Sequence, residues 1–589
     1  MMQQRAAVAI LIAAFVLLFV GLGRADLFNP DEPREAEIAR EMLVSGDAVV
    51  PHLNGEPFLE KPPLFYWMVV PAYRMAGGPG EIAARIVPAL AGWLVILLVL
   101  YPGADLVGAS AARLAAVVLM TSQQFFWTAR RCMIDMPLTL AVLLACLAFH
   151  RALLNRSGDR RGRILWLAAG SLLTGAAILL KGAIGAGIPA LALIGFFASR
   201  RDLRGLLRLA PAALLALAPI TAWIALLQMR LGASGVREFV WVNNVLRFAG
   251  GAAKGHTQPF YYYLPTLLAE MAPWSLLLPF AVAAAWRAAR PGAGDEAAGG
   301  AADPGVRADW GGASRAGASI RFLLVWLLLP LLVLSLSSTK RGIYLLPIYP
   351  AAALLLGFWI DRVAVAPARG ASRAARVALA IFLGAGVLIA ALLPAVLRLV
   401  RPQEWLGLAL SLALPPALAL FGHAALRSGR AGRLAFLIGG ALALVTLALA
   451  VAVVPEVVNG AASPRGAASL LHRMVEAGDR VALYRFKEGA LGGTLFYAGG
   501  TLPSLATTEE LRRHLEAGSV AGPGPRSVAL MREEVYREES ARLGIATTIV
   551  RRFEPPPGIA ALAPGRAGPG PPVASTDDAL VLIAAESPR

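Results

Sequence analysis

The stretch RILWLAAGSLLTGAAILLKGAIGAGIPALALIGFFASRR, residues 163–201, holds two apolar runs, Ile164–Leu180 and Ala183–Ala198. One lysine, Lys181, parts them, and arginines bound the pair on both outer sides. A hydrocarbon core of about 30 Å needs about 20 apolar residues per helical crossing, with about 17 the lower limit, so the longer run just reaches spanning length. Arginines at both far ends and a short connection at the near end describe a helix that crosses and another that returns. The arginine ends then lie on the cytoplasmic side.

The same pattern extends in both directions. Further apolar runs are Ala6–Gly23, Ala84–Tyr101, Ala111–Thr128, Asp135–Leu154, Leu207–Met229 and Leu264–Trp286. Ile320–Ser338, Ile343–Ile360, Val377–Leu399, Trp405–Leu426 and Leu434–Val454 complete a set of thirteen. Pro62–Ala76 is shorter and flanked by prolines, and reads as an interfacial or re-entrant segment. With a cytoplasmic N-terminus, every second loop is inside. Those loops carry Arg151, Arg156, Arg160, Arg161 and Arg163, then Arg200, Arg201, Arg204 and Arg208, then Arg287, Arg290, Arg307, Arg315 and Arg321. Arg362, Arg369, Arg373 and Arg376 follow, and then Arg427, Arg430 and Arg433. One span more or fewer would invert the pattern downstream, so the arginines test the count.

Composition agrees. Of 589 residues 57% are hydrophobic and 16% charged, and the mean hydropathy is +0.64. A water-soluble domain carries nearer a quarter charged residues. The formal charge of +18 therefore marks membrane orientation and not a nucleic-acid partner. Arg5 before the first run and small residues after it also allow a cleaved signal peptide there. Cys132 and Cys146, fourteen residues apart on one helix, would sit about 21 Å from each other, beyond disulfide reach. Gly292–Gly317 is disordered by composition.

The expected fold is an all-α polytopic membrane domain over residues 1–454 followed by a small extracytoplasmic α/β domain over residues 455–589. In the latter, Arg480–Phe486, Ser527–Met531, Thr547–Phe553 and Ala579–Ala585 read as strands. Leu470–Ala477, Thr508–Ala517 and Glu533–Leu543 read as helices.

Chemistry concentrates on the outer face. The first outer loop, residues 24–83, carries Asp31-Glu32-Pro33-Arg34 and Glu60-Lys61-Pro62-Pro63. The prolines stop helices and fix turns, and Glu35–Val44 between them reads as an amphipathic helix lying along the interface. Arg130, Arg131 and Asp135 sit in one short outer connection, Lys181 in another, Lys340 and Arg341 in a third. Cations there oppose the positive-inside bias. Snorkelling to headgroups explains any one of them; the set, gathered with carboxylates, points to an anionic ligand. A lipid-phosphate sugar donor needs its leaving phosphate neutralised by Lys or Arg. An acceptor hydroxyl needs a carboxylate within reach, for which Asp31 and Asp135 are the candidates. Ion pairs with Arg34 and Arg131, respectively, are the competing roles of these two aspartates. A transporter or lipid flippase is the alternative of another class, but it would place ionisable groups at the midplane.

These residues also carry a resemblance. DEPREAEIAREMLVSGDAVVPHLNGEPFLEKPPLFYW (Asp31 to Trp67) resembles the first outer loop of the aminoarabinose transferase and protein O-mannosyltransferase superfamily. RRCMIDMPL (Arg130 to Leu138), LLKGAIG (Leu179 to Gly185), HTQPFYYYLPTLLAEMAPW (His256 to Trp274) and SSTKRGIYLLPIYP (Ser337 to Pro350) resemble later stretches in the right order. The high Ala, Arg and Gly content points to a bacterial source and hence to an inner membrane with a periplasmic active face, while the resemblance implies a GT-C glycosyltransferase. Its donor would be a polyprenyl-phosphate sugar and its acceptor a lipid such as lipid A, a glycan or a protein. It implies Asp31 as the central carboxylate with Glu32 and Arg34 shaping its loop, and Glu60 and Lys61 at the cavity. Lys181, Lys340, Tyr344 and Arg131 would surround the donor phosphate, with His256 and Tyr261 in the cavity wall. No cofactor is implied; carboxylates with His256 could hold a divalent cation, though no ligand spacing is diagnostic. Relatives often carry a Glu-His pair before Arg247-Phe248, where this chain reads Asn243-Asn244-Val245-Leu246. That departure bears on the sugar and the acceptor.

Overall fold

The computed structural model describes residues 2–27, 31–154, 159–246, 258–290, 315–362, 463–486, 488–518, 525–553 and 579–585, with 384 and 459. The chain forms two compact units. One comprises Met1–Val20, Leu59–Phe65 and Arg85–Ala450; the other comprises Gly21–Phe58, Tyr66–Ala84 and Val451–Arg589.

The first unit is helical. Its described helices are α1 (Met2–Phe19), most of α4 (Glu81–Leu100), α5 (Ala104–Val107), α6 (Ala109–Met120), α7 (Gln123–Ala129), α8 (Asp135–Leu154), α9 (Arg160–Lys181), α10 (Ala183–Ser199), α11 (Leu203–Leu207), α12 (Ala210–Arg237), α13 (Tyr263–Glu270), α14 (Leu278–Ala288), α15 (Arg315–Leu336) and α16 (Tyr349–Ile360). The remaining two early helices, α2 (Asp31–Ser45) and α3 (Leu64–Met75), lie wholly or mostly in the second unit. Among the described residues six helical stretches are long and apolar enough to cross a membrane, and Phe260–Glu270 with Trp274–Ala288 makes a seventh bent by 115°. Gln4–Phe19, Ala109–Met120 and Ala183–Ser199 are shorter apolar helices. The expected spans Val377–Leu399, Trp405–Leu426 and Leu434–Val454 lie outside the described residues, as does nearly all of the Gly292–Gly317 loop.

Small residues set the helix crossings, as they must where lipid supplies no hydrophobic drive for helices to associate. A β-carbon on Gly170 of α9 would lie 2.7 Å from the Phe149 ring of α8, and one on Gly195 of α10 would overlap Val325 of α15. Helix α16 is buried along its whole length.

Two expectations shift. The run Ala111–Thr128 breaks into α6 and α7 at Thr121-Ser122, whose hydroxyls donate to the Val117 and Val118 carbonyls at 2.6 and 2.7 Å. Such back-bonding bends helices. After Met229, where the sequence turns polar, α12 continues to Arg237 past a kink at Gly232 and runs on as a π-helical stretch, Glu238–Leu246. Loss of hydrophobicity marked where the apolar run ends, not where the helix does.

The second unit holds a five-stranded sheet of β3 (Arg480–Tyr484), β4 (Ser504–Leu505), β5 (Ser527–Arg532), β6 (Thr547–Phe553) and β7 (Leu580–Ala585), in the order β4-β3-β5-β7-β6. β3 runs parallel to β4 and β5, while β7 runs antiparallel to β5 and β6. Helices α17 (Arg465–Glu476), α18 (Glu488–Ala498), α19 (Thr508–Glu516) and α20 (Glu533–Glu539) connect the strands. α19 begins with a capping box of Thr507 and Glu510 and buries Leu511 and Leu515, one turn apart, on the sheet. The expected small α/β domain is there. α18 and the two-residue β4 are additions.

The same unit takes in the first outer loop apart from Leu59–Phe65: α2, a two-residue hairpin of β1 (His52–Leu53) and β2 (Glu56–Pro57), and most of α3. α2 does not lie along an interface with one wet face. Asp31 through Met42 are all buried.

Candidate active site

α2 carries seven charged side chains, and all are buried: Asp31, Glu32, Arg34, Glu35, Glu37, Arg40 and Glu41. A buried charge is tolerated only when it is paired or hydrogen-bonded. Here the helical spacing makes the pairs. Arg34 Nη2 donates to Asp31 Oδ1 at 2.8 Å, one turn back, and to Glu35 Oε1 at 3.2 Å. The guanidinium lies over the Phe58 ring, 5.5 Å from its centre. The Tyr66 hydroxyl donates to Glu35 Oε2 at 2.8 Å. Arg40 grips Glu37 with two bonds of 2.7 Å, and Glu41 accepts from the Asn54 and Gly55 amides. Burial pushes the Glu37 carboxyl up to about 8 against the pull of Arg40. Asp31 and Glu32 occupy the first turn of α2, where the helix dipole favours anions.

In the first unit, Asp135 opens α8 and Lys181 closes α9. The two helices pack side by side as the arms of a hairpin, so these ends meet, and Lys181 Nζ donates to Asp135 Oδ1. The dipole favours both placements, an anion at a helix start and a cation at a helix end. Gly182, at φ 64°, ends α9 in a conformation that suits glycine. The Lys181 ammonium also sits 4.8 Å from the centre of the Tyr344 ring. The ion-pair partner of Asp135 is thus Lys181 and not Arg131, which instead stacks on Trp127 at 5.3 Å. Arg130 closes α1 by donating to the Leu17 and Val20 carbonyls at 2.8 and 2.9 Å.

Lys340 is buried, and its Nζ donates to the carbonyls of Gln258, at 2.9 Å, and Ser337. Two of its three N–H groups thereby hold local backbone. Tyr261 is exposed beside Phe260. Glu60 and Lys61 are half-buried, and the Asn243 amide, part of the unusual Asn243–Leu246 stretch, donates to the Leu59 carbonyl just before them at 3.1 Å. His256 lies outside the described residues. Among the described residues no group of three or more His, Cys, Asp or Glu side chains is placed to hold a metal ion.

The candidates thus divide between the two units: Asp31, Glu32 and Arg34 lie in one, and Glu60, Lys61, Arg131, Asp135, Lys181, Tyr261, Lys340 and Tyr344 in the other, where Asp135, Lys181 and Tyr344 are brought together. Sequence reasoning missed Glu35, Glu37, Arg40 and Tyr66. The three-residue step from Glu37 to Arg40 was the one available signal, since such steps face each other on a helix.

Residues 5–230 match the family model described as dolichyl-phosphate-mannose-protein mannosyltransferase. An undecaprenyl phosphate-alpha-4-amino-4-deoxy-L-arabinose arabinosyl transferase of Erwinia tasmaniensis is 33% identical over 352 residues, covering 59% of this chain and 58% of the relative. One of Pseudomonas savastanoi is 33% identical over 352 residues, covering 59% of this chain and 60% of the relative. The crystal structure of ArnT from Cupriavidus metallidurans bound to undecaprenyl phosphate superposes with a TM-score of 0.71 at 20% identity, covering 99% of both chains. The chain shares the GT-C fold of that structure. The fold and the resemblance read from the loop motifs are both as expected. By sequence, the chain spans about three fifths of the length of the curated relatives it matches.

Proposed function

We propose that the chain is a glycosyltransferase of a bacterial inner membrane, moving a sugar from a polyprenyl-phosphate donor to an acceptor on the periplasmic side. The relatives' names point to 4-amino-4-deoxy-L-arabinose on undecaprenyl phosphate as the first donor to test, and to a lipid A-type acceptor before a glycan or protein. The arginine-rich loops support a cytoplasmic N-terminus and periplasmic α2 and sheet.

The observation that carries the reading is α2: a helix with seven charged residues, all of them buried, opening on an ion-paired carboxylate. Retaining so much charge in a buried helix is costly, and perturbed carboxylates cluster at functional sites. In the reaction the bond from the anomeric carbon to the phosphate oxygen breaks and a bond from that carbon to the acceptor oxygen forms. An acceptor hydroxyl gives its proton to Asp31; an acceptor phosphate needs no base, and Asp31 then orients it. The electron pair leaves with the polyprenyl phosphate, whose charge Lys61 and Lys181 offset. Lys181 arrives oriented by Asp135 and Tyr344, so little reorganisation is needed at the moment of transfer.

Purified protein in lipid, given labelled polyprenyl-phosphate sugars and an envelope extract, should release polyprenyl phosphate. Asp31→Asn and Lys61→Ala should both abolish release. Folded wild-type protein that releases nothing from any of several donors would overturn the proposal and call for a flux assay instead.

A further inference from the structure

α18, EGALGGTLFYA, carries two consecutive glycines in its middle. Each disfavours a helix interior relative to alanine, and no sequence periodicity compensates. The structure shows what the missing side chains permit. A β-carbon on Gly492 would lie 2.5 Å from Arg34 Cα and 2.8 Å from Arg34 N. One on Gly493 would lie 2.8 Å from Pro464 Cγ and 3.5 Å from Pro33 Cβ. α18 therefore rests directly on the backbone of the first turn of α2, the turn that carries Asp31 and Arg34. Backbone cannot yield as the tip of a side chain would.

The same loop is pinned elsewhere to the C-terminal residues. Ahead of α2, the Leu27 amide donates to the Tyr497 hydroxyl at 2.7 Å, and Arg465 pairs with Asp26 at 2.8 Å. Within α2, Arg40 donates to the Gly499 carbonyl at 3.3 Å. Beyond it, the Asn54 amide exchanges two bonds of 2.9 Å with the Leu502 backbone and gives a third to Ser504.

From this juxtaposition we infer that the C-terminal domain is a positioning element for transfer, with Gly492 as the residue that fixes the backbone beneath Asp31 and Arg34. The inference rests on the reading of Asp31 above. Gly492 touches no reacting atom. It acts through the placement of the turn, and a misplacement of about 1 Å at a reacting centre can cost about a hundredfold in rate.

The test compares Gly492→Ala, Asn54→Ala and the control Gly466→Ala, whose added methyl meets open space, in the full chain in lipid. Two readouts are taken: kcat and KM for the donor, and hydrogen exchange of the α2 amides. Gly492→Ala should lower kcat by about ten- to a hundredfold with donor KM within about twofold, while α2 amides exchange faster. Asn54→Ala loosens the same dock without a clash, and should lower kcat several-fold in the same pattern. Gly466→Ala should match wild type. Wild-type kcat in folded Gly492→Ala would overturn the inference, as would a change confined to KM. Should Gly492→Ala not fold, wild-type kcat in Asn54→Ala would do so. If wild type transfers nothing, the functional reading fails by itself, and unchanged α2 exchange in both variants would sink the dock independently.

Discussion

Helices α2 and α16 are both buried on every side, yet they could hardly differ more in composition. α16, YPAAALLLGFWI, carries no charge; α2, DEPREAEIAREMLVS, carries seven charged side chains among its buried residues. For α16, removal of apolar side chains from solvent and close packing suffice. For α2, burial costs free energy at each charge, and only partners placed within bonding distance offset it. One helix is held by shape, which tolerates change gradually. The other is held by pairs, which fail when one member is lost. A fold retains the second kind of helix where the charges are used.

The sharpest break in this comparison is functional. Asp31→Asn keeps the size of the side chain and removes its basicity, and should lower transfer by about 100- to 10,000-fold without unfolding the protein. An equally small change in α16, Leu355→Met, should leave the rate alone. Next comes stability. Glu37→Met strands the Arg40 guanidinium, which stays charged at any working pH, beneath the surface and should cost about 3–5 kcal/mol, read as a lower denaturation midpoint. Joint replacement of Glu37 and Arg40 by apolar residues should recover most of that loss, because the stranded charge goes with its partner. In α16, Leu355→Ala should cost about 2–5 kcal/mol, scaling with the cavity left, and no second substitution of one neighbour should restore it. If Glu37→Met proves milder than Leu355→Ala, α2 is wetter than its burial indicates and the contrast collapses.

Legibility followed the same division. The hairpin of α8 and α9 was visible because apolar runs and arginines are both properties of single residues, and Asp135–Leu154 forms a helix with the expected bounds. In the C-terminal domain each expected strand and helix is found, displaced by a few residues at its ends. What escaped was what depends on pairs. α2 looked amphipathic because its charges were read as seeking water, whereas they seek each other. For Asp135 the ion-pair alternative legible in sequence is its neighbour Arg131, while the hairpin delivers Lys181, forty-six residues away. α18 was missed because Gly492-Gly493 depresses helix propensity, and the reason for the glycines, the backbone of α2, is more than 450 residues away in sequence. Lys340 was assigned to phosphate by motif, but its amine also serves two carbonyls that no motif displays.

A further test asks whether α2 feels its burial as charge. Glu37 in the folded protein is held at about 8, against 4.5 for an unperturbed carboxyl, chiefly because burial penalises its anion. Between those values the folded state keeps a proton that the unfolded state has released. Stability must then fall as pH rises through that window and level off above it. Glu37→Gln removes the titrating group while keeping a hydrogen-bonding partner for Arg40, so the decline between about pH 4.5 and 8 should flatten. Denaturation midpoints at several pH values, wild type beside Glu37→Gln, give the comparison. Equal slopes would mean that Arg40 outweighs burial and that Glu37 is ionised throughout. A flatter slope in the variant would show that the pairs in α2 only partly offset what burial costs.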